Sequence, residues 1–200
     1  MKYLIFFLLF FNSNLIDKND LQKTQTFEKA YFASGCFWCV ESIYQNLKGV
    51  IEVDSGYSGG FVQNPTYYQV ISGKTGHAEA IEVVYDPKII DYKTLVKVFF
   101  GSHDPSTLNR QGPDVGTHYR SIAFYSSNNE KKIIQDEIKR LLNEKKYSKI
   151  ATEVLQFKKF YKAEDYHQDY KKKNPNDIYI MRVSNPRISK FKMDFKEIIK

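Results

Sequence analysis

Residues 31–49 read "YFASGCFWCVESIYQNLKG" and hold both cysteines of the chain and its only tryptophan. Just upstream, "FEKAYFAS" (27–34) carries alternating and β-favouring residues up to Gly35, as a strand does. Downstream, Phe37, Val40, Ile43, Tyr44 and Leu47 recur at helical spacing until Lys48-Gly49 closes the run. The stretch is therefore a strand, a glycine turn and a helix, with Cys36 at the helix N-terminus. The same alternation continues along the chain. "VIEVDSGYSGG", "HAEAIEVVYDP" and "YRSIAFYSS" read as strands. "YKTLVKVFFGSHDP" opens as an amphipathic helix with Leu95, Val96, Phe99 and Phe100 inward, and "NNEKKIIQDEIKRLLNEKKY" is a long helix with Ile133, Ile134, Ile138, Leu141 and Leu142 on one face. "IATEVLQFKKFY" is expected as one strand, and "KAEDYHQDYKKKNP" as a helix ended by Asn174-Pro175. This order predicts an α/β (α+β) sandwich, a single domain with a mixed β-sheet flanked by helices. The domain is expected to span 26–176, with a basic tail over 177–200 whose Phe191, Met193 and Phe195 pack as a strap.

Two hundred residues suffice to bury roughly 70% of the unfolded surface, so a core forms without staples. A composition of 42% hydrophobic and 26% charged residues excludes the disordered and fibrous classes. The net charge of +7 is unevenly placed, since residues 131–200 carry 19 Lys and Arg against 10 Asp and Glu. These lysines fall mainly on predicted helix faces rather than along an aromatic-rich stripe, which points to a solvated surface or an acidic protein partner and not to nucleic acid.

At the N-terminus, one lysine precedes an apolar run from Tyr3 to Phe11. A spanning helix needs about 20 apolar residues, whereas a signal-peptide core is shorter. Residues 1–25 are expected to be a signal peptide and leader directing export to the periplasm or envelope. Because no small-x-small cleavage site follows, an uncleaved anchor is the alternative; without a functional signal the location is cytoplasmic. No stable membrane partner is expected unless the segment stays uncleaved.

A C-x-x-C pair serves metal ligation, redox chemistry or plain packing. Zinc needs four ligands, and His77, His103, His118 and His167 are scattered, so metal is not expected. A bridge over so short a loop removes little unfolded-state entropy, which leaves chemistry ahead of a structural disulfide. A thiol at a helix N-terminus is expected to have a lowered pKa, making Cys36 the nucleophile. Cys39, one turn on, is placed to attack an oxidised Cys36. Phe37 and Trp38 make an apolar pocket suited to a thioether or small alkyl group. Glu79 shares a strand face with His77, Ile81, Val83 and Tyr85, where lost solvation raises a carboxyl pKa. The Pro/Gly-rich loop "GSHDPSTLNRQGPDVGTH" has a length that belongs to a site more often than to a connector. A thioredoxin-type disulfide oxidoreductase also sets C-x-x-C at a strand-to-helix junction, but it leaves Glu79 and this loop unexplained.

"GCFWCVES", "NPTYYQVISGKTGHAEAIEVVYDP", "HDPSTLNRQGPDVGTHYRS" and "FYKAEDYHQDYKKKNP" resemble, in order, the signature blocks of the methionine sulfoxide reductase A family. The resemblance covers roughly 28–176. It implies a ferredoxin-like core and reduction of the S epimer of methionine sulfoxide, free or in proteins. It further implies that Cys36 is the catalytic cysteine, that Phe37 and Trp38 receive the substrate methyl group, and that Glu79 donates the proton. Tyr67, Tyr119 and Asp114 would hold the sulfoxide oxygen. The implied cycle passes through a Cys36 sulfenic acid and a Cys36–Cys39 disulfide, with thioredoxin or another dithiol as reductant and no cofactor. In one respect the chain departs from many relatives: it has neither cysteine nor glycine in its C-terminal tail.

Overall fold

The computed structural model describes residues 26–200. The N-terminal apolar run, expected as signal or anchor, lies outside the described residues. Strand β1 (Glu28–Ser34) leads into α1 (Phe37–Gln45), then β2 (Val50–Ser58), a short α2 (Tyr67–Ile71), β3 (Ala78–Tyr85) and α3 (Tyr92–Gly101). The 102–120 loop folds into a hairpin of β4 (Arg110–Gln111) and β5 (Asp114–Val115) and a 3-10 turn, Thr117–Tyr119. After it come β6 (Ser121–Tyr125), α4 (Asn128–Asn143), β7 (Glu153–Gln156), β8 (Phe160–Lys162), α5 (Tyr170–Lys173) and α6 (Asn185–Asp194). The main sheet has the order β7-β6-β1-β3-β2-β8, antiparallel except for the parallel β6–β7 pair. Its central four strands with α1 and α3 form the ferredoxin-like core.

Strand period two divides the core. On the helical face, Phe32, Ile81, Val83 and Tyr85 meet Val40, Ile43 and Tyr44 of α1, Leu95 and Phe99 of α3 and Ile134 of α4. Phe32 is fully buried among the rings of Tyr44, Tyr92 and Phe99. The opposite face holds the smaller cluster of Tyr31, Ala33, Ala78, Ala80, Ile122 and Phe124. The helices start as their sequences dictate: Asp91 caps α3 at Thr94 N–H (2.7 Å), and Ser127 caps α4 at Glu130 N–H (3.2 Å).

Three expectations are corrected. "IATEVLQFKKFY" is two strands on opposite sheet edges, because Phe157 leaves β7 to stack on Tyr31 at 3.6 Å and carries the chain across to β8. "KAEDYHQDYKKKNP" is mostly turns with one helical turn, since Asp169 adopts a left-handed conformation (φ 55°). The C-terminal strap is helical, with a π-helical turn, Ile180–Ser184, running into α6. Helical spacing puts Phe191 and Phe195 on one face, stacked at 4.7 Å, and turns Met193 out to 67% exposure.

Candidate active site

Gly35 ends β1 with φ +84°, a conformation that side chains disfavour, and a Cβ there would lie 2.6 Å from the Gln111 side chain. This tight turn delivers Cys36 to the N-cap of α1, where its carbonyl accepts from Cys39 N–H at 3.1 Å and from Val40 N–H at 3.3 Å. Cys36 makes no side-chain cap bond. The first helical amide, Phe37 N–H, donates instead to Glu79 Oε2 at 3.0 Å. Glu79 stands on the helical face of β3, opposite Tyr57 of β2. Burial, only partly offset by that amide, pushes its pKa up to about 8, so the carboxyl is protonated at neutral pH.

Both cysteines are free and buried. Burial first, then the hydrogen bond and charge of Cys39 and the charge of Glu79, push the Cys36 thiol well above its ordinary range. The hydrogen bond from Cys36, with the charge of Arg187 and the hydroxyl of Ser184, brings Cys39 down to about 6. The two thiols act on each other, and Arg187 and the Ser184 hydroxyl favour Cys39 as the sulfur that carries charge. The helix N-terminus predicts a lowered Cys36; burial outweighs it, and the Phe37 N–H donates to Glu79.

Around the sulfurs the aromatic residues separate into floor and wall. Phe37 is 1% exposed and packs against Tyr57, Tyr67 and His167, so it is core as much as pocket floor. Trp38 is half-buried and pinned on three sides: stacked on Tyr170 at 3.7 Å, edge-on to Tyr179, and donating its Nε1–H to His167 Nδ1 at 3.1 Å. His167 accepts that bond because burial holds its pKa down to about 4; its Nε2–H has no partner among the described residues. Glu164 orders Tyr67 from behind, accepting from its N–H at 2.9 Å and from Tyr57 O–H at 2.8 Å.

Tyr67 and Tyr119 are half-buried phenols kept protonated by burial, with Glu79 and Cys36 next among the causes. Both phenols therefore lie within the electrostatic reach of the cysteine and the carboxyl. Asp114, on β5, accepts from Tyr179 O–H at 2.6 Å, which commits one of its oxygens to the C-terminal segment. A cleft of about 810 Å³ between α6 and the 101–114 loop is lined by Asp114 and Arg187, but Cys36, Trp38 and Glu79 lie outside its lining. Tyr57, His167, Tyr170, Tyr179, Ser184 and Arg187 carried no assigned role in the sequence. The partner of Tyr57 follows from strand register, but that of Ser184 needed the helical C-terminus.

A dithiol at a helix start beside a protonated buried carboxyl and neutral phenols is the equipment of a thiol-dependent reductase that can deliver a proton. The model of the peptide methionine sulfoxide reductase family matches residues 28–198. The MsrA of Sulfolobus acidocaldarius is 46% identical over 170 residues, 85% of this chain and 96% of its own. Reduced Mxr1 from Saccharomyces cerevisiae is similar in structure with a TM-score of 0.71 at 36% identity, over 76% of this chain and 87% of that one. Mxr1 in complex with Trx2 is similar with a TM-score of 0.52 at 26% identity, over 74% and 86%. This chain belongs to the peptide methionine sulfoxide reductase family, and it is an enzyme that reduces methionine sulfoxide to methionine.

Proposed function

We propose that Cys36 is the nucleophile toward the S epimer of methionine sulfoxide, with Glu79 as proton donor and Cys39 as resolving thiol. The observation that carries this is the Glu79 carboxyl, buried, protonated and bonded to the amide next to Cys36. As Cys36 attacks the sulfoxide sulfur, its proton passes to Cys39, its hydrogen-bonded neighbour. Glu79 gives its proton to the oxygen, and the O–H groups of Tyr67 and Tyr119 answer the negative charge developing there. Methionine leaves and Cys36 remains as the sulfenic acid. Cys39 then displaces water from that sulfur to form the Cys36–Cys39 disulfide.

Trp38 holds the methyl group over the Phe37 floor. Asp114 acts through Tyr179 and the loop that positions Tyr119. A thioredoxin-like dithiol protein restores the thiols, supported by the similarity to Mxr1, a protein crystallised with Trx2. Export rests on the N-terminal apolar run and is tested by cell fractionation with N-terminal sequencing of the mature chain.

The test of the activity is turnover of the separate S and R epimers of a blocked methionine sulfoxide, with dithiothreitol as reductant. Consumption of S alone, abolished by Cys36→Ser, is expected. Equal consumption of R, or insulin disulfide reduction in place of sulfoxide turnover, overturns the assignment.

A further inference from the structure

The signature around the cysteines ends at Glu41 and Ser42, yet the groups that touch Cys39 come from the far end of the chain. Ser184, fully buried, donates its hydroxyl to Cys39 Sγ at 3.1 Å. A serine inside a helix ordinarily bonds back to its own backbone or faces solvent. Here it closes a π-helical turn, a distortion frequent at functional sites, which aims the hydroxyl across the interface with α1. Tyr179 O–H also approaches Cys39, at 3.9 Å, but its single proton goes to Asp114 at 2.6 Å, so Ser184 is the hydroxyl that donates to this sulfur. One turn further, the Arg187 guanidinium is fixed by Ser102 C=O at 2.8 Å and Ser34 C=O at 2.9 Å, and its charge acts on Cys39. The other charged or titratable groups facing the sulfur are Cys36, Glu79 and Tyr179. Accessibility divides the pair the same way. Cys36 is 5% exposed at the loop-to-helix junction, whereas Cys39 is 1% exposed one turn inside, against Ser184 of the C-terminal segment.

We propose that Ser184, backed by Arg187, is a positioning residue that makes Cys39 the leaving sulfur of the recycling step, so that the reductant bonds to Cys36. The inference rests on Cys39 as resolving thiol. The thiolate of a dithiol protein attacks Cys36 Sγ, and the Cys36–Cys39 bond breaks with its electron pair passing to Cys39. That sulfur leaves as a thiolate into the Ser184 hydroxyl and the field of Arg187. Leaving sulfurs of low pKa depart fastest, so this cradle directs attack to the outer sulfur. The second thiol of the reductant then attacks the mixed disulfide, releasing Cys36 and leaving the reductant oxidised by two electrons. The C-terminal helix thus gives a C-x-x-C pair its polarity in a chain whose tail lacks cysteine.

The test begins with the full chain oxidised by one equivalent of methionine sulfoxide, its Cys36–Cys39 disulfide verified by mass spectrometry. It is then mixed with a thioredoxin whose second active-site cysteine is replaced by serine, and quenched with an alkylating reagent. Fragmentation of the 30–48 peptide is expected to place the thioredoxin on Cys36 and the alkyl group on Cys39. In Ser184→Ala, the rate of disulfide reduction relative to the rate of sulfoxide reduction is expected to fall about tenfold, from loss of one hydrogen bond to a charged sulfur. Thiolate absorbance isolates Cys39 in the Cys36→Ser background, where adding Ser184→Ala is expected to raise its titration midpoint by about one pH unit. Thioredoxin on Cys39 overturns the proposal, as does a slowed reduction with an unmoved titration, which marks a purely structural serine. Absence of the disulfide at the first stage overturns the resolving role of Cys39 itself and is seen before any reductant is added.

Discussion

Replacing Glu79 with glutamine removes a proton that the fold holds against water. Burial raises this carboxyl from an ordinary 4.5 to about 8. At 1.36 kcal/mol per unit, ionising it in place costs about 5 kcal/mol more than ionising it in the unfolded chain. The folded state therefore keeps a proton that the unfolded chain releases above about 4.5. The associated stability is fully present below that pH and is lost as pH rises through about 8. Denaturant unfolding of the wild type is expected to weaken over this window by up to about 5 kcal/mol relative to Glu79→Gln, whose side chain does not titrate. Catalysis should follow the same proton. In single-turnover sulfoxide reduction by rapid quench, which does not read the reductant, the wild-type rate is expected to fall above pH 8. Glu79→Gln should react about 10²- to 10⁴-fold more slowly and lack this alkaline limb. A glutamine variant within tenfold of wild type, or one that keeps a limb near pH 8, refutes the assignment of the proton to Glu79.

Cys39→Ser is expected to yield methionine in a single turnover but to lose thioredoxin-dependent cycling, measured by NADPH consumption in a coupled assay; normal cycling would remove its resolving role. Phe32→Ala empties the ring cluster with Tyr44, Tyr92 and Phe99 and should cost about 3–5 kcal/mol of stability by chemical denaturation. Gly35→Ala forces a side chain into a left-handed turn and against Gln111, so single-turnover sulfoxide reduction should slow as Cys36 is displaced. Trp38→Phe loses the bond to His167 and is expected to raise KM for the sulfoxide more than it lowers kcat, by steady-state kinetics with dithiothreitol.

Much of this was legible before any coordinates. The strand, glycine and helix at 31–49 carried the helical period and the turn residue together, and the structure reproduces them as β1, Gly35 and α1. The parity of Glu79 with Ile81, Val83 and Tyr85 placed it on one face with them, and in the structure that face packs on the helices. Parity says nothing of partners, so the Phe37 amide that holds Glu79 had no sequence signal. Lysine spacing hides the helical tail, whose apolar residues, Ile180, Ile188, Phe191 and Phe195 among them, are spread thinly between charges. "IATEVLQFKKFY" was read as one strand since a uniform β-favouring run does not mark where the chain changes sheet edge.

The most direct test of the central claim is to oxidise Cys39→Ser with one equivalent of the S sulfoxide and probe it with a sulfenic-acid-specific reagent. One methionine released per chain, with the label on Cys36 by peptide mass spectrometry, is the predicted result. Methionine release without a labelled Cys36, or no release from a folded protein, would contradict it.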